Sequence, residues 1–378
     1  MIRALLILGT RPEAIKLCPV LNHLRGCADF DATLCATGQH RAMLDQVLEA
    51  FGAAPDYDLD LMRPGQTLTQ STSRILAALE PVLAAAKPDV VLVQGDTTTT
   101  LAGAMAAFYH HVPVGHVEAG LRTNDLRQPF PEEMNRVVAT RLSSLHFAPT
   151  AGAARNLRAE RVPEASIHVT GNTGIDAVLH VARELRAGRL GGREWPFLDA
   201  SRSLIVMTAH RRESFGPGFE RICNAAARIA ERPDVQLVYP VHRNPNVLDP
   251  VTQRLGHLPN VVLLEPLDYV SFVDLMGRAR ILLTDSGGIQ EEGPSLGKPI
   301  LVMREKTERP EAVEAGTVKL VGTCEESIVA EVGRLLDDGD EYRRMTRVHN
   351  PYGDGQASER IAAAIRQWFD GRDQARRP

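Results

Sequence analysis

The sequence predicts an α/β protein built on two doubly wound parallel sheets, each flanked by helices. Its 378 residues are more than a single hydrophobic core usually organises. Short apolar runs rich in β-branched residues recur along the chain, with helix-patterned segments between them. These runs are apolar throughout instead of at alternate positions, which is typical of strands covered on both faces. Two Rossmann-like domains are therefore expected.

Each half of the chain carries its own series of strand-like runs. In the first half they lie at 2–8, 32–36, 89–94, 112–118, 145–149 and 166–170. In the second half they lie at 203–208, 235–241, 260–265, 279–285, 299–303 and 317–321. Gly171, Asn172 and Gly174 interrupt the pattern between the halves. We expect an N-terminal domain over 1–170 and a C-terminal domain over 171–356, with the last helix, about 357–378, packing back on the first domain.

The composition indicates a globular protein that handles small molecules. Hydrophobic residues make up 44%, charged residues 24%, and the net charge is −4, so nucleic acid and anionic membranes are not expected partners. The five cysteines form no CxxC pair and no zinc-type spacing, which fits a reducing cytoplasm. We find neither a signal-peptide pattern nor a run of ~20 apolar residues. A cytoplasmic protein without a structural metal is expected.

Acidic residues follow the predicted strands of the first half. Asp96 comes after 89–94, Glu118 ends the next run, and Glu132 opens a helix that also carries Arg136. Singly, Asp96 fits a helix N-cap, and Glu132 fits a dipole-stabilising position with an exposed ion pair to Arg136. Together they would lie at one edge of one sheet, where carboxylates ~4 Å apart repel by about 4 kcal/mol at an effective dielectric of ~20. We interpret them as an acid/base group, because raised and split carboxyl pKa values suit proton transfer at neutral pH.

The loop after the first strand combines a helix start with a cation. Thr10 and Glu13 have the spacing of a capping box. Capping leaves Arg11 unexplained, and a guanidinium at a helix mouth suits a phosphate or a carboxylate. Lys16 is either a solvated partner of Glu13 or a point charge for the same ligand.

The second half supplies a predicted anion site. Ser286, Gly287 and Gly288 allow close backbone approach at a helix N-terminus, as a diphosphate requires, and Glu292 could accept hydrogen bonds from ribose hydroxyls. Neither GxGxxG after a first strand nor GxxxxGK[ST] occurs, which argues against NAD binding and ATP hydrolysis. We therefore expect a nucleoside diphosphate. Phe272 either stacks on its base or packs in the core.

Further cations follow strands of this half. His210 and His242 each end a predicted strand, and neither has the metal spacing HExxH. Arg309 repeats before Pro310 the Arg-Pro-Glu pattern of the N-terminus. A nucleotide site combined with an acid/base group indicates proton transfer on the group that is attached to the diphosphate. A sugar attached to the diphosphate is the natural candidate.

At these residues the sequence resembles the non-hydrolysing UDP-N-acetylglucosamine 2-epimerases, which have the two-domain GT-B architecture with a central cleft. The resemblance covers nearly the whole chain in order. It is carried by GTRPEAIKL, QGDTTTT, GHVEAGLRT, PEEMNR, GNTGIDAV, TAHRRESFG, PVHRNPNV, TDSGGIQEEGPSLGKP and ERPEAVEAGT.

The resemblance implies reversible conversion of UDP-GlcNAc to UDP-ManNAc by a homodimer, without NAD or another cofactor and without metal. The C2 proton leaves as UDP departs, 2-acetamidoglucal forms, and UDP and a proton return with C2 inverted. By motif position the catalytic group is Asp96, Glu118, Glu132, Arg136 and His210. By motif position the UDP contacts are Arg11, Lys16, His242, Phe272, Ser286, Gly287, Gly288, Glu292 and Arg309. Which carboxylate is the base stays open.

The chain departs from the family at one regulatory motif. Members activated by their own substrate carry Gln-x-x-Gln and a downstream Arg, whereas here Gln39 is followed by Ala42 and Gly65 at the other two places. We expect less sigmoidal kinetics than in regulated members. A hydrolysing epimerase, a GT-B glycosyltransferase, a silent nucleotide-sugar sensor and a 2-epimerase of a modified UDP-sugar are the alternatives.

Overall fold

The structure is a computed structural model that describes residues 1–38, 41–63, 65–347 and 349–375. The chain divides into two compact units. The first unit comprises Met1–Ala177 together with the chain from Gly353 onward, and the second comprises Val178–Tyr352.

The described part of the first unit contains a seven-stranded parallel sheet. Its strands are β1 (Ile2–Leu8), β2 (Phe30–Ala36), β3 (Tyr57–Asp58), β4 (Val90–Gln94), β5 (Val114–Val117), β6 (Leu145–Ala148) and β7 (Ile167–Val169). They lie in the order β3-β2-β1-β4-β5-β6-β7. The α-helices along this part of the chain are α1 (Arg11–Arg25), α2 (Arg41–Ala50), α3 (Leu68–Ala86), α4 (Thr98–Tyr109), α5 (Glu132–Leu142), α6 (Ala151–Ala159) and α7 (Thr173–Arg186), the last of which begins in the first unit and ends in the second.

The described part of the second unit contains a six-stranded parallel sheet. Its strands are β8 (Ser203–Thr208), β9 (Val235–Pro240), β10 (Val261–Leu264), β11 (Ile281–Thr284), β12 (Ile300–Val302) and β13 (Val318–Leu320). They lie in the order β10-β9-β8-β11-β12-β13. The helices are α8 (Pro217–Ala230), α9 (Pro245–Leu255), α10 (Tyr269–Arg278), α11 (Gly287–Glu292), α12 (Pro310–Ala315), α13 (Glu325–Asp337) and α14 (Gly339–Thr346).

The predicted fold class, two doubly wound parallel sheets, is confirmed. Every residue of β4 is buried, as expected for a strand with helices on both faces. The sequence did not predict β3, because its two residues, Tyr57 and Asp58, form no apolar run. The strand exists because Tyr57 pairs with Cys35 of β2.

The last helix, α15 (Ala357–Ala375), belongs to the first unit. The Asp176 carboxylate of α7 accepts hydrogen bonds from the main-chain N–H groups of Ala357 (3.2 Å) and Ser358 (2.8 Å). These amides lack partners within the helix, so a buried carboxylate satisfies them and complements the helix dipole. Among the described helices none is long and apolar enough to span a membrane.

Candidate functional site

The carboxyl edge of the first sheet gathers the three predicted acids. Asp96 lies two residues after β4, Glu118 directly after β5, and Glu132 is the first residue of α5. Strands β4 and β5 are neighbours in register, which brings their ends together. The negative charges of Glu118 and Glu132 both raise the pKa of Asp96, so the three carboxylates lie close enough to interact.

Asp96 has a carboxyl group that titrates near neutrality. Desolvation raises the pKa of Asp96 to about 6, and it outweighs the positive charge of Arg136. The Arg136 Nη2 lies 2.7 Å from Asp96 Oδ2 and pairs with the ionised form. A carboxyl group with a pKa in this range can exchange protons at physiological pH.

Both carboxylate oxygens of Glu118 have a hydrogen-bond donor. Lys16 Nζ lies 2.5 Å from Oε1, and Gln94 Nε2 donates to Oε2. The side chains of Lys16 and Glu118 are only 17% and 11% exposed, so water screens this ion pair less than a surface pair. Lys16 is therefore not a solvated side chain, because its ammonium group pairs with Glu118, and its contact with a ligand stays a prediction.

The first turn of α5 decides between two interpretations of Arg136. The alternative, an exposed ion pair with Glu132, is wrong, because Arg136 pairs with Asp96 and lies 3.5 Å from Glu133. Glu133 is buried and accepts hydrogen bonds of 3.0 Å from the two loop amides at 123–124. Glu133 therefore holds the loop that precedes α5, while Glu132 belongs to the acid group.

The interpretation of Asp96 as a helix cap is also wrong. Thr97 caps α4, and its Oγ1 accepts a hydrogen bond of 3.1 Å from the Thr100 N–H. The predicted capping box of α1 is present, with a fully buried Glu13. Glu13 Oε1 also accepts a 2.6 Å hydrogen bond from Thr97 Oγ1, so this carboxylate joins the loops after β1 and β4.

Two buried side chains that the sequence analysis did not single out bind the backbone at Asp96. Asn135 Nδ2 donates to the Asp96 carbonyl at 2.8 Å. His116 Nε2 lies 2.7 Å from the Gly95 carbonyl, and because that oxygen can only accept, the ring nitrogen donates. Burial lowers the pKa of His116 to about 3, so the imidazole is neutral. The signal available in the sequence was a polar residue inside each of the motifs GHVE and PEEMNR.

The second sheet has a buried acid that organises the loop after β8. Asp285 follows β11, is fully buried, and accepts 2.7 Å hydrogen bonds at Oδ2 from the main-chain N–H groups of His210 and Arg211. Asp285 Oδ1 lies 3.4 Å from His210 Nδ1. The His210 ring stacks on that of the exposed His242, with centroids 5.6 Å apart. Burial lowers the pKa of His210 despite the Asp285 charge.

Two guanidinium groups flank the Ser-Gly-Gly turn. Ser286 is the N-cap of α11 and Gly287 its first residue. A Cβ placed on Gly287 would lie 3.7 Å from Nη2 of Arg211 and 3.7 Å from Nη2 of Arg309. Arg309 is oriented by a hydrogen bond from its Nε to Glu291. The acid beside the turn therefore orients a cation, and the paired guanidinium groups suit an anion such as a diphosphate.

The other predicted site residues that the structure describes are at least partly exposed. Arg11 is the half-buried first residue of α1, and Phe272 is half-buried on α10. Gly288 is exposed and Glu292 half-buried on α11. Gln39 lies outside the described residues. Within the described ranges, no cluster of three or more His, Cys, Asp or Glu side chains could hold a metal ion.

Comparisons with known proteins identify the family. The model of a family described as UDP-N-acetylglucosamine 2-epimerase matches residues 22–366. The chain is 57% identical to the UDP-N-acetylglucosamine 2-epimerase of Salmonella typhimurium, over 97% of this chain and 99% of that protein. It is 56% identical to the enzyme of the same name from Escherichia coli K12, over 96% and 98% of the two chains.

A solved structure agrees with these relatives. The UDP-GlcNAc 2-epimerase of Neisseria meningitidis, solved with UDP-GlcNAc bound, superposes with a TM-score of 0.87 at 46% identity, over 97% of this chain and all of that chain. The resemblance read from the motifs is confirmed. The chain belongs to the UDP-N-acetylglucosamine 2-epimerase family.

Proposed function

We propose that this chain catalyses the reversible C2 epimerisation of UDP-GlcNAc to UDP-ManNAc. Its family membership supports this activity, as does the relative solved with UDP-GlcNAc bound. The observation that carries the proposal is the acid group of the first unit, in which Asp96 has a pKa of about 6 beside Glu118 and Glu132. Repelling carboxylates at a strand edge lower stability, but they supply proton donors and acceptors at neutral pH.

We assign binding of the nucleotide to the second unit. Arg211 and Arg309 bind the diphosphate at Gly287, with the main-chain N–H groups of the turn as further donors. The same guanidinium groups stabilise the charge that builds on UDP as the bond from C1 to the diphosphate oxygen breaks. His242, Phe272 and Glu292 of this unit are proposed as further contacts, and the contact of Arg11 with UDP stays a prediction from the family resemblance.

The first unit is assigned the proton transfers. One carboxylate removes the proton from C2 while UDP departs from C1 with the bonding electron pair, which leaves 2-acetamidoglucal. A second acid then protonates C2 on the opposite face, and UDP adds again at C1. Asp96, Glu118 and Glu132 share these roles, with Arg136 pairing with Asp96. The catalytic role of His210 stays a prediction from the family resemblance. After one turnover the base holds an extra proton and the acid has lost one, and proton exchange with water restores the starting state.

The activity is expected to fall as the pH decreases through about 6. The pKa of Asp96 is raised, so acidification through it protonates this carboxylate, which then no longer accepts a proton and loses its ion pair with Arg136. The measurement is kcat against pH, with circular dichroism at each pH as a control for unfolding. A profile that stays flat from about pH 5 to 8 would contradict the role of Asp96.

The direct test of the function is incubation of the protein with UDP-GlcNAc alone in deuterated water. We expect NMR to show the manno isomer together with deuterium at C2. Release of free ManNAc and UDP would indicate a hydrolysing epimerase. Unchanged C2 protons would reject epimerisation and leave a glycosyltransferase or a binding protein.

We further propose a cytoplasmic homodimer, as the family resemblance implies. The aromatic side chains of Phe108 and Tyr109 at the end of α4 are 54% and 62% exposed and offer apolar area for such an association. Light scattering on the full chain measures the mass directly. A monomer at micromolar concentration would exclude the dimer.

A further inference from the structure

Two consecutive residues of α5 hold Asp96 by different groups. Asn135 Nδ2 donates to the Asp96 carbonyl oxygen at 2.8 Å, and Arg136 Nη2 lies 2.7 Å from the Asp96 carboxylate. Asn135 is only 2% exposed, so water cannot replace its hydrogen bond easily. One turn of helix therefore binds both the main chain and the side chain of Asp96.

The same loop is supported on its other side. Gly95 has φ of +73°, a conformation that favours glycine, and its carbonyl accepts the hydrogen bond from His116. The carbonyls of two consecutive residues are thus each bound by a buried side chain. Because both donors come from neighbouring elements, β5 and α5, the loop cannot shift without breaking one of these bonds.

We infer that Asn135 is a positioning residue whose hydrogen bond to the Asp96 carbonyl fixes the start of α5, so that Arg136 meets the Asp96 carboxylate. The inference rests on the proposed function, since it concerns an acid assigned to proton transfer. Asn135 does not reach the substrate in this role. It acts through the distance between Asp96 and Arg136.

The choice of an amide at this position follows from the local charges. The carbonyl of Asp96 needs a donor, and an amide provides one without a charge. A charged side chain at this position would place another charge beside Asp96 and shift the pKa of its carboxyl group. The charged side chains that act on Asp96 are Arg136 and Glu132 of α5, Lys16 of α1, and Glu118 after β5.

Loosening the pair of Asp96 and Arg136 has a predictable sign. Arg136 is the strongest of the charges that lower the pKa of Asp96, ahead of Lys16. A weaker contact with Arg136 therefore moves the pKa of Asp96 upward. The Glu133 carboxylate lies 3.5 Å from Arg136 Nε and would then attract the guanidinium group away from Asp96. The neutral His116 adds no charge to this balance.

The test compares Asn135→Leu with Asn22→Leu. Leucine has the shape of asparagine without the donor. Asn22 of α1 is the matched control, because its Nδ2 also donates to a backbone carbonyl in the first unit, that of Phe51 at 2.8 Å. For Asn135→Leu we expect kcat to fall about 10-fold with KM within about 2-fold, and the acid limb of the kcat profile to move up by about half a pH unit. Asn22→Leu should keep the kcat profile of the unaltered protein.

Each other outcome counts against the inference. An unchanged acid limb in Asn135→Leu, or the same shift in Asn22→Leu, would show that the hydrogen bond does not act on Asp96. If Asn135→Leu does not fold, Asn135→Ala is measured in its place, and failure of both to fold assigns Asn135 to the fold alone. The unaltered protein separates the two proposals, because its failure to form UDP-ManNAc rejects the function whatever the variants do.

Discussion

Glu118→Gln is expected to lower kcat by about 1000-fold while leaving the protein folded. The amide cannot exchange a proton at neutral pH, and positioned acid/base groups typically contribute 10²–10⁴-fold. The substitution also removes the Glu118 charge from the ion pair with Lys16, whose side chain is 17% exposed. Loss of the Glu118 charge, which raises the pKa of Asp96, would also lower that pKa. Steady-state conversion of UDP-GlcNAc measures the loss of kcat.

The control separates lost chemistry from a lost ion pair. Glu160→Gln removes a carboxylate that lies 2.5 Å from Arg122, whose side chain is 2% exposed, in the same unit and outside the acid group. Both variants break a partly buried ion pair, so both should lose thermal stability to a similar extent. Only Glu118→Gln should lose activity. If kcat in Glu118→Gln stays within about 10-fold of the original, Glu118 does not transfer protons.

The position of the acid group could be predicted because it depends on the parallel sheet. The apolar runs fixed where β4 and β5 end, and parallel strands present their carboxyl ends at one edge. Asp96 and Glu118 therefore had to be near each other once the fold class was known. The same reasoning placed Ser286 and Gly287 after β11 and His210 after β8, and these strands are neighbours in the second sheet.

The partners of these residues could not be predicted, because local patterns describe only nearby residues in the chain. The i,i+4 spacing favoured a pair of Arg136 with Glu132, which is worth about 0.2–0.5 kcal/mol on an exposed helix. Arg136 instead meets Asp96, a residue of another loop, at 2.7 Å. Lys16 similarly pairs with Glu118, 102 residues further along the chain. Such contacts depend on strand order and register.

Buried polar residues were missed for a related reason. Asp285 directly precedes the Ser-Gly-Gly turn, and nothing in the sequence distinguishes it from an exposed acidic residue of a loop. In the structure it is fully buried and accepts hydrogen bonds from the backbone of the β8 loop. Whether an acid faces solvent or a neighbouring loop is decided by packing, which no residue spacing in this segment encodes.

Gly287→Ala is expected to weaken UDP binding about 100-fold, equivalent to about 2.8 kcal/mol, without lowering thermal stability. The added methyl group would lie 3.7 Å from Nη2 of Arg211 and 3.7 Å from Nη2 of Arg309, an ordinary contact that the folded protein tolerates. It would nevertheless occupy the space between the two guanidinium groups, where we propose that the diphosphate oxygens bind. Isothermal titration calorimetry with UDP measures the change in Kd.

Gly333→Ala is the matched control for this substitution. Gly333 lies within α13 of the same unit, and a Cβ added there meets no described atom within 4 Å. Alanine favours a helix over glycine by about 0.8–1.0 kcal/mol, so both variants should be at least as stable as the unaltered protein. Because the two changes add the same methyl group to helical glycines, a difference in UDP affinity between them reports only the space beside Arg211 and Arg309. Equal affinity in both variants would place the diphosphate elsewhere and remove the Ser-Gly-Gly turn from the nucleotide site.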